Sequence, residues 1–141
     1  MSITKGIFRR DTTRQQVFEA TDGHGADIII DPLGDEISDA AIRALAWCGR
    51  MVVLGFAAGR IPTIKANYLL VKNIDVCGLQ IGDYRRRAPE KTAACFTELF
   101  SLYEAGRIRP LPTTTLPIER FQDALCAIRD RTARGRIVLL Q

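Results

Sequence analysis

The sequence predicts an α/β protein, with parallel strands layered between helices, and three observations carry that expectation. The first is the run Met51-Val52-Val53-Leu54, closed by Gly55 and preceded by Gly49-Arg50. Unbroken apolar residues bounded by glycines suit a strand covered on both faces. The second is the alternation of such runs with apolar stripes at helical spacing, joined by short links. A strand, a helix and a second strand arranged so read as a right-handed crossover in a parallel sheet. The third is composition: 141 residues, 47% apolar and 26% charged, are those of one ordinary globular domain with enough apolar side chains for a core.

In chain order, Asp11-Thr12-Thr13 offers N-cap chemistry to a short helix carrying Val17 and Phe18 and ending near Asp22-Gly23. Gly23 and Gly25 invite comparison with a dinucleotide fingerprint, but that motif follows a strand and opens a helix. These glycines follow a helix and precede the strand Ala26–Asp31, so they form a turn, with His24 exposed and idle in it. Pro32-Leu33-Gly34 leads into a helix with the stripe Ile37, Ala41, Ala44, Leu45 and Cys48, Trp47 packing at its end and Gly49 just beyond. A second strand covers 50–55. After Pro62 comes a short helical piece, Asn67–Val71, and then the strand Ile74–Leu79. Arg85–Arg87 reads as a solvated loop. Pro89 fits the first turn of a long helix with Phe96, Leu99, Phe100 and Tyr103 on one face and Gly106 at its end. Pro110 to Thr115 reads as an extended connector, followed by a helix with Phe121, Ala124, Leu125 and Ile128 and a last strand, Arg136–Leu140.

Several functional classes drop out. No apolar run approaches the roughly 20 residues that span a bilayer. The start, MSITKGIFRRDTT, lacks the apolar core of a secretory signal, so the chain reads as cytoplasmic with no membrane partner. A net charge of +4 is mild, and neither a broad basic face nor a nucleic-acid motif is present. Four dispersed cysteines and one histidine do not make a ligand set, so no metal is expected and the thiols should be buried and reduced.

In open parallel sheets, ligands bind beyond the carboxyl ends of the strands, where glycine lets them approach the backbone. Gly55–Gly59 and Gln80–Tyr84 both leave such ends, and Asp31 terminates the first strand. The glycines equally suit a buried strand ending in a turn, and Asp31 equally suits a turn or helix-capping carboxylate.

Four segments in order, ATDGHGADIIIDPLGD, LAWCGRMVVLGFAAGRIP, NYLLVKNIDVCGLQIGDY and LPIERFQDALCAIRDRTARGRIVLL, resemble the medium-chain dehydrogenase/reductase superfamily, in its quinone oxidoreductase-like branch. The resemblance runs from about Thr12 to the end. It implies a partial doubly wound, Rossmann-type parallel sheet with helices on both faces. Residues 1–110 would be the carboxyl-terminal half of a nucleotide-binding domain, and 111–141 a helix and strand that in the family return to the catalytic domain. The last strand, without that sheet, must pair otherwise. The implied cofactor is NADP or NAD, with Gly34 near the ribose and Gly55, Phe56, Ala57, Leu79 and Ile81 near the nicotinamide, largely through backbone.

The resemblance also implies what is missing: the amino-terminal catalytic domain and the glycine-rich phosphate turn that anchors the pyrophosphate. No catalytic residue can be placed. The expectation is therefore a fragment of an NAD(P)H-dependent quinone or enone oxidoreductase, inactive alone. The alternative is a non-catalytic dimerisation or complementation module. The expected partner is a second copy paired through the strand Ile74–Leu79, or a separate amino-terminal half.

Overall fold

The computed structural model describes residues 13–141, so the capping residues Asp11 and Thr12 lie outside the described chain. It divides into two compact units, one ending at Arg86 and one spanning Arg87–Gln141.

The first unit contains α1 (Thr13–Ala20), β1 (Ala26–Asp31), α2 (Asp35–Ala44), β2 (Leu45–Val53), α3 (Ala66–Lys72) and β3 (Asp75–Gly78), and α4 (Ile81–Arg87) runs across its boundary by one residue. The strands form a parallel sheet in the order β1-β2-β3. Ile29, Met51 and Val76 lie in one row across the sheet and Ile28, Arg50 and Asp75 in the next. Because side chains alternate between faces, Ile29, Met51, Val53 and Val76 share a face with Ile42, Leu45, Ile74, Tyr68 and Leu69, and this is the core. Ile28 and Ile30 point the other way and are exposed. The Arg50–Asp75 ion pair, 2.9 Å, ties β2 to β3 at the surface.

The second helix is shorter than its apolar stripe predicts. It stops at Ala44 and the chain passes directly into β2, so Trp47 and Cys48 lie on a strand and are exposed. Lys72 Nζ donates to the carbonyls of Arg43 (2.8 Å) and Leu45 (2.6 Å), satisfying acceptors that a further helical turn would have used. Ala26 pairs with Leu45 but Ile28 pairs with Arg50, so β2 accommodates three extra residues in a bulge. Within it Cys48 takes the left-handed conformation (φ 59°), not Gly49. Gly49 is needed for room: a Cβ there would come within 3.0 Å of the Ala26 and Ala46 carbonyl oxygens.

Asn73 closes α3 in the left-handed region (φ 52°). The run Arg85–Arg87, expected as a loop, is the exposed last turn of α4, whose first turn is held by the Asp83 N–H donating to Gln80 Oε1 at 2.6 Å. All four cysteines are free, as expected, but exposed rather than buried.

The second unit contains α5 (Pro89–Glu104), β4 (Thr113–Pro117), a 3₁₀ turn (Ile118–Arg120), α6 (Phe121–Arg129) and β5 (Arg136–Leu140). The expected connector is thus partly a strand. Its three consecutive β-branched threonines pair in parallel with β5, from Thr113 opposite Arg136 to Pro117 opposite Leu140. The last strand finds its partner there. Gly135 (φ 93°) makes the junction, since a Cβ would overlap the Pro112 carbonyl, which accepts the Arg136 N–H at 2.8 Å.

Candidate functional site

Because β1, β2 and β3 are parallel, their carboxyl ends emerge on one side of the sheet, and the segments leaving β1 and β2 are stitched together there. The Leu54 N–H donates to Asp31 O (2.8 Å), Ala57 to Pro32 O (3.1 Å), Ala58 to Leu33 O (2.9 Å), and Asp35 to Arg60 O (2.9 Å). The loop 54–60 therefore lies along 31–35 as a continuation of the strand pairing. Leu79 extends β3 in the same way, its N–H donating to Val53 O at 3.0 Å.

Gly34 sits under this loop with φ 73° and ψ −150°, a conformation essentially restricted to glycine. A Cβ would meet Arg60 O at 2.9 Å and the Phe56 ring at 3.1 Å. Gly34, Gly55, Phe56 and Ala57 are thus brought together, with Leu79 alongside through Val53. Ile81, the exposed first residue of α4, is tied to them by no described hydrogen bond.

Asp31 is buried, and its carboxylate accepts the N–H groups of Leu33 (2.9 Å) and Gly34 (3.0 Å) at one oxygen and the Ser38 hydroxyl at the other. It is a turn carboxylate that fixes the entry to α2. Sequence reasoning passed over Arg60. Its guanidinium bonds Asp35 (3.0 Å) and Asp39 (2.6 Å), and the bonds to Asp39 and then Asp35 raise its pKa above the ordinary arginine value. The available signal was the i, i+4 pair of carboxylates opening a helix, with an arginine beyond the next strand.

The two ends of this site differ in what they could hold. Gly55 and Gly59 leave the backbone uncovered at two points of the loop, and a Cβ at Gly59 or Gly78 would meet nothing within 4 Å, so a flat ring could approach the backbone there. The start of α2 does not suit a pyrophosphate: Asp31 already takes the N–H groups before it, and Asp35 and Glu36 make its first turn acidic.

The family model for zinc-binding dehydrogenases matches residues 6–139. The chain belongs to the zinc-binding dehydrogenase family. Among its relatives, quinone oxidoreductase-like protein 2 of Bos taurus is 31% identical over 132 residues, and its homologue in Nematostella vectensis 29% over 133, each match covering 94% of this chain. The chain spans only 38% and 36% of those two proteins. The solved structure of mycobacterial Rv1454c complexed with NADPH superposes with a TM-score of 0.74 at 22% identity, covering 96% of this chain and 42% of that one, a likeness of fold. Despite the family's description, the described residues of this zinc-binding dehydrogenase family member contain no cluster of three or more His, Cys, Asp or Glu side chains able to hold a metal ion.

Proposed function

We propose that this chain is the nicotinamide-side part of an NAD(P)H-dependent quinone or enone oxidoreductase, a fragment inactive by itself. The observation that carries the reading is the stitched loop 54–60 lying beside bare glycine backbone at the carboxyl ends of the parallel strands. When bound, the reduced cofactor, NADPH or NADH, would supply the hydride and leave as NADP or NAD. The chain's contribution is orientation: Gly34 leaves room at the ribose, Gly55, Phe56 and Ala57 present backbone to the ring, and Leu79 and Ile81 approach it from the end of the third strand. Holding a cofactor in place in this way is most of what the protein adds in such chemistry. On this reading residues 1–110 complete a nucleotide-binding domain, 111–141 return to a catalytic domain, and the protein works in the cytoplasm.

The test is to titrate NADPH into the chain by calorimetry, then into a fusion placing the amino-terminal region of the bovine relative before it. Weak binding by the chain alone, and NADPH-dependent quinone reduction by the fusion, are expected. A low-micromolar dissociation constant for the chain alone would refute the fragment reading, and a fusion that binds no NADPH would refute the family function.

A second reading, a dimerisation or complementation module, is favoured by the position of β3. It is an edge strand with no proline to block pairing, and a twofold contact lets one strand serve both copies.

A further inference from the structure

The geometry points to a second ligand site, a groove for a small carboxylate with an apolar body, between α2 and the segment 60–68. The groove has a volume of about 250 Å³. Ligand pockets for drug-sized molecules run to roughly 300–1,000 Å³, so this one excludes a dinucleotide and suits something smaller. Ile42, Pro62 and Ile64 supply its apolar surface. Four charged residues line it: Arg43, Arg60 and Lys65 against Asp39 alone.

The single carboxylate is already engaged. Asp39 accepts from Arg60 Nη2, while Arg60 Nε donates to Asp35, so both acids serve to hold one guanidinium in place. Nη1 of that guanidinium has no hydrogen bond among the described residues, and neither do the side chains of Arg43 and Lys65. The outcome is a preset arginine donor with two further cations and apolar residues lining one groove, together with Thr63 and Tyr68. A guanidinium fixed in orientation in this way is matched to a carboxylate, whose oxygens can accept from the edge that Asp35 and Asp39 leave open. The apolar lining selects against inorganic anions, which cannot use it.

Arg60 also joins this groove to the loop of the candidate site, since its backbone carbonyl receives the Asp35 N–H there. An acid seated in the groove on Nη1 therefore shares the guanidinium that Asp35 and Asp39 hold, at the residue that ends the stitched loop.

The experiment is a titration of the full 141-residue chain with benzoate at constant ionic strength, followed by amide resonances, with benzamide and inorganic phosphate as parallel probes. Saturable shifts at Ile64, Lys65 and Tyr68 are expected, with a dissociation constant on the order of 1 mM. Benzamide and phosphate should each bind at least tenfold more weakly. The double variant Arg43→Gln, Lys65→Gln, which alters two exposed residues and should keep the parent spectrum elsewhere, should weaken benzoate at least tenfold. Shifts that do not saturate, a double variant that binds as well as the parent, or benzamide or phosphate equal to benzoate would overturn the proposal.

Discussion

Arg60 and Asp35 are joined twice: the Asp35 N–H donates to the Arg60 carbonyl at 2.9 Å, and Arg60 Nε returns to the Asp35 carboxylate at 3.0 Å. The backbone bond sets where the loop 54–60 ends, and the side-chain bonds resist its peeling from α2. Both partners of the ion pair are partly exposed, so its effect on global stability is small and its effect is local. Replacing Arg60 by Gln should accelerate hydrogen exchange at the Ala57 and Ala58 amides, which donate into 31–35. Arg50→Gln, which breaks an exposed pair elsewhere, should leave those amides unchanged. Equal protection in parent and Arg60→Gln would show that the loop is held by backbone alone.

Gly34 offers a sharper stability test. Alanine there meets both a torsional restriction and the Arg60 carbonyl, whereas a Cβ at Gly59 (φ 109°) would meet nothing within 4 Å. Gly34→Ala should cost about 3 kcal/mol and Gly59→Ala about 1 kcal/mol, the torsional part alone. Urea unfolding of the two variants measures the difference. Equal costs would mean that the close approach under the loop relaxes freely.

Lys72 makes stability depend on pH. Burial, and then the positive charge of Arg14, lower its pKa from the ordinary lysine value. The unfolded chain therefore keeps this proton to higher pH than the folded one. Between the lowered and the ordinary value the unfolded state binds more protons, so this group's contribution to stability rises with pH in that window and is flat below it. Lys72→Met should lose the bonds to the Arg43 and Leu45 carbonyls, lowering stability by about 1 kcal/mol each, and should also lose the alkaline rise. Persistence of the rise in the variant would assign it to another group.

The edge strand β3 gives the test of assembly. The parent chain should sediment as a dimer, and Val76→Pro, which removes one strand N–H, should sediment as a monomer with its circular dichroism retained. A folded Val76→Pro dimer would move the contact to another surface, with the β1 edge as the next candidate.

Most of the sheet was legible because its signals are local. The apolar runs at 26–31, 50–55 and 74–79 each correspond to a strand, and Pro89 does open α5. The end of α2 was not legible, because Leu45 and Cys48 continue the helical spacing, while the groups that stop the helix come from Lys72, a side chain far along the chain. The strand β4 was hidden by flanking prolines, although its three threonines carried the right propensity, and its partner lies more than twenty residues away. In the candidate site, glycines announced where backbone would be bare, and Gly34, Gly55, Phe56 and Ala57 do come together. The Arg60 bridge was invisible because ion pairs between separated segments leave no periodic trace.

The division at Arg86 has a consequence for cooperativity. The first unit has a core of fully buried side chains such as Leu45 and Met51, whereas in the second Ala124 is the one buried apolar residue among those described. A two-stranded sheet with so little buried behind it melts at lower temperature than a three-stranded one resting on helices. Heating should therefore release α5, α6 and their strands first, and two transitions are expected. The sole tryptophan, Trp47, lies in the first unit, so fluorescence would follow only the later transition while circular dichroism recorded both.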